Sequence, residues 1–118
     1  INNMSSVSDN RIELRLTGSN TSTTRHVINS GGTGYMDSTT NIIDVNRYSF
    51  AFARNNAIPC TNGTLGTLDT VVEMPVGVSQ MTIGSTPAFS GDSTTRIRQV
   101  SYYNKRLPNA QLQGLTAQ

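Results

Sequence analysis

The acidic side chains of this 118-residue chain are the first groups that could do chemistry, because glycoside hydrolysis needs two carboxylates facing each other across a sugar. Two are glutamates, Glu13 and Glu73, which stand far apart. The aspartates are dispersed along the chain at Asp9, Asp37, Asp44, Asp69 and Asp92. No two acidic residues stand two positions apart, as a pair on one face of a strand would. We therefore expect no glycosidase activity, and we expect Glu13 to pair with Arg11 or Arg15.

Motifs for nucleophilic catalysis and for phosphate binding are also missing from the sequence. His26 is the only histidine, and no nucleophile-elbow sequence supplies an activated serine to accompany it. Residues 31–34, Gly-Gly-Thr-Gly, lack the lysine and the strand-to-helix context of a phosphate loop and predict a flexible tip. The single cysteine, Cys60, excludes an internal disulfide and predicts an inert residue in a loop or core. We expect that the chain is not an enzyme.

Calcium is the metal that the dispersed carboxylates could bind, since calcium prefers oxygen ligands. The candidate ligands are Asp37, Asp44 and Asp92, together with loop carbonyl groups. Their spacing matches no calcium-loop motif, so the sequence predicts no metal site and no cofactor.

Sugar binding is the ligand activity that the residue types favour most. Protein sites for sugars combine an aromatic ring for stacking with asparagine, aspartate and backbone donors on loops. Tyr35 beside the glycine-rich loop, together with Asn55, Asn56 and Asn62, are the candidate ligand-binding residues. Each of them also fits an ordinary turn position, and that interpretation is favoured for each residue taken singly.

The composition predicts which elements position these residues. Ser, Thr, Asn and Gly make up 43% of the chain and only 14% is charged. Those four residue types disfavour helix interiors and favour strands, turns and caps. The net charge is only +2 and the arginines are scattered, unlike the basic cluster of a nucleic-acid-binding protein. No apolar stretch approaches the roughly 20 residues of a transmembrane helix. We therefore expect no nucleic-acid partner and no membrane insertion.

Six to nine short strands are predicted from the alternation of apolar and polar residues. The clearest is 11–17, with Ile12, Leu14 and Leu16 on its buried face. In 47–54 the aromatic residues share one face and small residues share the other, which predicts a central strand. The other predicted strands cover 25–29, 35–36, 41–45, 65–74, 80–84 and 94–103. Asn55-Asn56 predicts a turn, and Asn62-Gly63 predicts a hairpin turn.

One short C-terminal helix is predicted at residues 108–115. Ala110, Leu112 and Leu115 recur there at helical spacing, and a proline at the start of a helix removes only an N–H that would be unpaired anyway. Together the elements predict an all-β fold class. We expect an antiparallel β-sandwich or jelly roll with one short C-terminal helix, forming a single domain over residues 1–118.

The last quarter of the sequence contains Ile97-Arg98, the aromatic pair Tyr102-Tyr103, the basic-leucine step Arg106-Leu107 and a predicted helix followed by Leu115-Thr116. This run of residues resembles the closing segment of concanavalin A-like (laminin-G-like) jelly-roll modules, especially those of phage tail fibres, tailspikes and other virion proteins. Residues 47–53, Asn62-Gly63 and Met74-Pro75 resemble upstream parts of the same modules, so the pattern covers roughly 47–116.

The closing motif carries structural roles rather than chemistry. It implies that Tyr102 and Tyr103 seal the rim of the sandwich, and that Ile97 and Val100 are core positions. The residues expected to pin the helix over an open end are Leu107, Leu112 and Leu115. Pro108 stands where the family usually has a capping Ser or Thr. The family module is longer, so its first strands are absent, abbreviated or supplied by another chain, and residues 1–118 are expected to be a fragment or processed part.

The resemblance implies a non-enzymatic structural or adhesion module of a bacteriophage, at the virion surface on a tail fibre, tailspike or capsid. Its expected partners are other virion chains, in a homo-oligomer, and bacterial surface polysaccharide. The alternative is a carbohydrate-binding module of a secreted, extracellular bacterial protein.

Overall fold

A computed structural model describes residues 10–17, 23–30, 33–40, 46–79, 81, 83 and 97–118. Within these ranges the chain forms six strands and one helix. The elements are β1 Asn10–Thr17, β2 Thr23–Ser30, β3 Thr33–Thr40, β4 Tyr48–Ala53, β5 Asn56–Thr61, β6 Thr64–Leu65 and α1 Asn109–Thr116. All strand pairs are antiparallel, so the predicted all-β class with a short C-terminal helix is confirmed.

The first sheet is a three-stranded meander in the order β1-β2-β3. The register of β1 on β2 runs from Asn10 opposite Ser30 to Thr17 opposite Thr23. The predicted strand 11–17 is therefore confirmed, whereas β2 and β3 extend beyond their predicted ranges. Gly34 lies within β3, so the predicted loop at 31–34 ends earlier than expected. Pairing with a neighbouring strand extends these threonine-rich runs, because β-branched residues fit the pleated surface well.

The second sheet has the order β4-β5-β6, which places β5 at its centre. The predicted strand 47–54 is present as β4, which among the described residues pairs with β5. The strand β5 has no counterpart among the predicted strands, because Pro59 lies inside it and proline removes a ladder donor. The carbonyl of Pro59 accepts from Gly66 N at 2.9 Å. The backbone nitrogen of Pro59 points to the same side of β5 as its carbonyl, toward β6. Since β6 pairs only with Cys60 and Thr61, its ladder has already ended at Pro59 and needs no N–H donor from that residue.

The second sheet is the middle of three packed layers. One face carries Ala51, Ile58 and Cys60, which pack against Leu107 and Leu112 of the helical segment. The other face carries residues that pack against the first sheet around the fully buried Ile28. That second cluster comprises Ile28, Ala57, Val72, Ile12, Phe50, Phe52 and Met74. The alternation of residues in β4 therefore places small side chains against the helix and aromatic side chains against the first sheet.

Two apolar residues of β1, Ile12 and Leu14, differ in burial. Ile12 contacts the buried cluster around Ile28, its partner in the register. Leu14, two residues further along, is 47% exposed, so its predicted position on a buried face is wrong. The contact between β1 and the second sheet is made at Ile12, beside Ile28.

The predicted strand 65–74 is replaced by irregular chain that follows β5. Asp69 exchanges two backbone hydrogen bonds with Ala57, of 3.0 and 2.8 Å, and forms an isolated bridge. The side chain of Asp69 then accepts from Val71 N at 2.8 Å and turns the chain. As a result Val72 is buried, whereas Val71 is 81% exposed. The hydrogen bond from Val71 N to the Asp69 side chain thus takes the place of regular strand hydrogen bonds at this point of the chain.

Helix α1 begins after Pro108 and runs one residue beyond its predicted end. Pro108 provides no side-chain cap, but its carbonyl accepts from Gln111 N at 3.0 Å and Leu112 N at 3.1 Å. The predicted strands at 41–45 and at most of 80–84, and residues 94–96 of the predicted strand 94–103, lie outside the described residues.

Candidate functional site

The four predicted sugar-binding residues lie in three separate places. Asn55 and Asn56 are at the β4–β5 turn, and Asn62 is at the β5–β6 turn. These turns stand at opposite ends of the six-residue β5, which is roughly 20 Å long. Tyr35 is on β3 of the first sheet, opposite Ile28 of β2. The structure therefore brings Asn55 and Asn56 together but does not assemble one site from all four.

Asn62 joins three parts of the chain. Together with Gly63 it has a positive φ, 49° and 80°, as expected for the two-residue hairpin turn that Asn-Gly predicts. The Asn62 side-chain oxygen accepts from Arg47 N at 2.9 Å and from the Gln118 amide at 3.1 Å. Its amide nitrogen donates to the Asn46 side chain at 2.9 Å. These bonds give Asn62 a structural role in holding the start of β4 and the C-terminal residues.

Asn56 is also committed to internal contacts. Its side-chain oxygen accepts from Arg106 Nε at 3.1 Å. Arg106 donates further to the Leu107 carbonyl at 2.5 Å and to the Asn109 side chain at 2.6 Å. One guanidinium thereby links the start of β5 to the start of α1, as its planar fork of donors allows. Asn55, by contrast, is an exposed turn residue with φ 55° whose backbone N–H bonds the Val72 carbonyl at 2.8 Å.

The remaining sequence candidates do not form a catalytic or metal centre within the described ranges. Glu13 pairs with Arg11 at 3.0 Å, one of the two partners expected for it. The register places His26 opposite Asp37, on neighbouring strands of the first sheet. Asp44 and Asp92, two of the calcium candidates, lie outside the described residues. Among the residues that the structure describes, no three metal-ligating side chains come together.

Cys60 belongs to a buried polar contact between β5 and α1. Its sulfur lies 3.1 Å from Thr116 Oγ1, which also donates to the Leu112 carbonyl at 2.8 Å and accepts from Gly63 N at 3.0 Å. Since the one hydroxyl proton points to Leu112, the thiol of Cys60 is the donor to Thr116. Both residues are buried, so the contact is structural, in keeping with the inert role expected for Cys60.

The segment 97–103 is exposed and forms neither strand nor helix. The expected core positions Ile97 and Val100 are 53% and 51% exposed, and that prediction is wrong. Tyr102 and Tyr103, at 68% and 47%, do not seal a rim formed by the described residues. The physical reason is that the described residues supply no neighbouring strand to this segment, so its alternating apolar side chains meet no second layer.

The three leucines expected to pin the helix separate into two groups. Leu107 and Leu112 are buried at 7% and 2% exposure and pack on the second sheet. Leu115 is 48% exposed, so its expected inward position is wrong, and Thr116 takes that position instead. The helix therefore presents Leu115 on its outer side.

An open, mostly apolar groove runs between this outer side of α1 and the end of segment 97–103. The residues that line it are Tyr103, Lys105, Leu107, Gln111, Gly114 and Leu115. We call it the helix groove. The sequence-based candidates did not include Lys105 or Gln111. The signal that could have found them is the run Tyr102-Tyr103-Asn104-Lys105, in which aromatic rings stand beside a cation directly before a helix.

Neither the known protein families nor the curated proteins contain a match to the sequence. A solved structure does match. The fold is similar to that of an S-layer domain-containing protein from Clostridium thermocellum. The TM-score is 0.54 at 10% sequence identity, over 98% of this chain. The chain spans 66% of the length of that structure.

At 10% identity this similarity concerns the fold alone. It leaves the resemblance to concanavalin A-like modules as a prediction. The described part of the chain contains no helix that is long and apolar enough to cross a membrane.

Proposed function

We propose that this chain is a non-catalytic carbohydrate-binding module of a bacterial cell-surface or secreted protein. The observation that carries the proposal is the similarity of nearly the whole chain in fold to a bacterial protein described by its S-layer domain. The sequence composition agrees with this location, since a surface rich in Ser, Thr, Asn and Gly with 14% charged residues suits an extracellular protein.

Of the two hypotheses from the sequence, the structural comparison favours the secreted bacterial module over the virion module. The solved structure with the similar fold is described as an S-layer domain-containing protein from Clostridium thermocellum and not as a virion component. The virion hypothesis rests on the resemblance of residues 47–116 alone. Both hypotheses share a surface location and a polysaccharide ligand.

The exposed apolar side chains near the C-terminus support a binding role. Ile97, Val100 and Tyr102 are each more than half exposed, and Tyr103 and Leu115 are nearly so. Large apolar groups gathered in one region of a surface mark sites that contact a ligand or another chain. The same region supports the expected homo-oligomer, which sedimentation velocity at increasing protein concentration would detect.

Cosedimentation tests the proposed function. The purified chain is mixed with insoluble polysaccharides, chitin and cellulose, and with purified bacterial sacculi, and the bound fraction is measured. We expect saturable binding to at least one of them, competed by the matching soluble fragments. The control is the same chain after thermal unfolding. A chain that stays in the supernatant with every polymer contradicts the proposal, and release of reducing ends from a bound polymer contradicts its non-catalytic part.

A further inference from the structure

The helix groove combines a flat ring with aliphatic surface. Tyr103 contributes an aromatic side chain that is 47% exposed, and Leu115 contributes an aliphatic one that is 48% exposed. Gly114 leaves the space beside them open, because a Cβ built there would meet nothing within 4 Å. Such a surface suits the C–H face of a sugar ring, which packs on an aromatic face with loss of water from both.

Polar groups in the groove are free to bind a ligand. Gln111 is exposed and offers an amide that both donates and accepts hydrogen bonds. Lys105 is exposed and offers three N–H donors. In the described part of the chain, the side chains of Gln111 and Lys105 make no hydrogen bond to the protein. A small number of convergent polar groups on a mostly apolar lining is the usual composition of a ligand site.

The charge around the groove selects the class of ligand. Residues 97–118 contain three basic residues, Arg98, Lys105 and Arg106, and no aspartate or glutamate. Arg106 is used internally by Asn56, Leu107 and Asn109. Within the described residues, Lys105 has no ion-pair partner, and it is the charged side chain among the residues that line the groove. The charge complementary to the groove is therefore an anion.

We propose that the helix groove binds an acidic polysaccharide, with a sugar ring packed on Tyr103 and a carboxylate or sulfate held by Lys105. The proposal rests on the proposed carbohydrate-binding function and names the ligand class and the site. A single-stranded nucleic acid is also anionic and stacks on aromatic rings. Nucleic-acid channels place several cations along the backbone and successive aromatic side chains under the bases, whereas one of each lines this groove.

Binding titrations with defined polymers test the site. The probes are polygalacturonate as the acidic polymer, dextran as the neutral one and a 20-nucleotide thymidine strand. At low salt we expect the chain to bind polygalacturonate at least about tenfold more tightly than dextran or the oligonucleotide. Tyr103→Ala and Lys105→Gln should each weaken this binding by about tenfold.

Matched control variants distinguish binding in the helix groove from nonspecific electrostatic attraction of the polymer. Tyr102→Ala removes a neighbouring exposed tyrosine that does not line the groove, and Arg98→Gln removes the same unit of charge as Lys105→Gln. Both controls should weaken binding less than about twofold. All four residues are exposed, so each variant should keep the circular dichroism spectrum of the original chain.

The outcomes distinguish this inference from the proposed function. Equal losses of affinity from Arg98→Gln and Lys105→Gln, or no loss of affinity from Tyr103→Ala, contradict the assignment of the binding site to the helix groove. In either case the proposal that the chain binds polysaccharide still stands. Binding to dextran alone overturns the acidic class, and tighter binding to the oligonucleotide assigns the surface to nucleic acid. Binding to none of the polysaccharides, insoluble or soluble, contradicts the inference and the proposed function together.

Discussion

Thr61 on β5 and Thr116 on α1 are both buried threonines, but their hydroxyl groups have opposite surroundings. Thr61 Oγ1 is buried with no hydrogen-bond partner among the described residues, as is Ser49 Oγ on β4. Thr116 Oγ1 bonds Gly63 N, the Leu112 carbonyl and Cys60. A buried hydroxyl stabilises a fold only when it is hydrogen-bonded, so the two residues should respond differently to the same change.

Replacing each threonine by valine tests this contrast, because valine keeps the shape and removes the hydroxyl. Thr61→Val should raise the free energy of unfolding by about 1 kcal/mol, since it removes an unsatisfied polar atom. Thr116→Val should lower it by about 1–3 kcal/mol, since it leaves Gly63 N–H without its acceptor. Urea unfolding followed by circular dichroism measures both. A gain in stability from Thr116→Val would show that its hydrogen bonds do not stabilise the fold, and a loss from Thr61→Val would contradict the unsatisfied state of its hydroxyl.

Cys60 should be protected from thiol reagents in the folded chain. It is 0% exposed, and its sulfur lies 3.1 Å from the hydroxyl of the buried Thr116. Only the thiolate is nucleophilic, and it must also be reached by the reagent. We expect labelling by a disulfide reagent to follow unfolding, slow without urea and complete within the urea transition. Rapid labelling in native buffer would contradict the burial of this residue.

At the scale of the element, the C-terminal helix is held by one buried leucine and one buried threonine. Leu112 and Thr116 face the second sheet, whereas Leu115 and Gly114 face the helix groove. The helix lacks a side-chain cap and has no acidic residue in its first turn. An eight-residue helix with these ends has little stability of its own, so packing of its inner face must supply most of it.

Two leucines in this helix therefore form a matched pair. Leu112→Ala should lower the free energy of unfolding by about 2–5 kcal/mol, because it leaves a cavity beside Ile58 and Cys60. Leu115→Ala should change it by less than about 0.5 kcal/mol, because that side chain is exposed. Thermal and urea unfolding of the two variants give the comparison. A larger loss from Leu115→Ala would mean that the helix is rotated from its position in the structure.

At the scale of the whole molecule, the second sheet depends on a different layer at each face. Its inner residues contact the helix on one side and the first sheet on the other. Among the described side chains, the contact with the first sheet includes the buried Ile28, with Ile12 beside it. Small single domains usually unfold in one cooperative transition, so the two sheets are expected to unfold together.

Ile28→Ala tests whether the two sheets fold as one unit. Ile28 is 0% exposed between Ala57 and Val72, so the change should lower the free energy of unfolding by about 2–5 kcal/mol. Tyrosine fluorescence and circular dichroism should still report coincident unfolding transitions. Val71→Ala, in an 81% exposed residue beside Val72, is the control and should have a small effect. Two separated transitions would show that the first sheet unfolds independently.

Local signals in the sequence determined the parts of the fold that depend on neighbouring residues. Alternation predicted β1 and β4, Asn62-Gly63 predicted the hairpin turn, and leucine spacing predicted the helix to within one residue at each end. Each of these depends on the conformations of a few consecutive residues, which side-chain type restricts directly. The strand β5 could not be predicted in this way. Its Pro59 is tolerated only because the neighbouring β6 ends after two residues.

The tertiary structure alone decided which residues face inward. Alternation in 97–103 indicates two faces, but burial of Ile97 and Val100 requires a layer that the described chain does not place there. In the helix, Leu115 and Thr116 stand three and four residues after Leu112. Residues at either spacing lie on the same side of a helix, so the sequence allows either of them to face inward with Leu112. Thr116 faces inward because Cys60 and Gly63, more than fifty positions away, supply its hydrogen-bond partners. Spacing within one helix carries no information about those partners, so only the folded chain could make that choice.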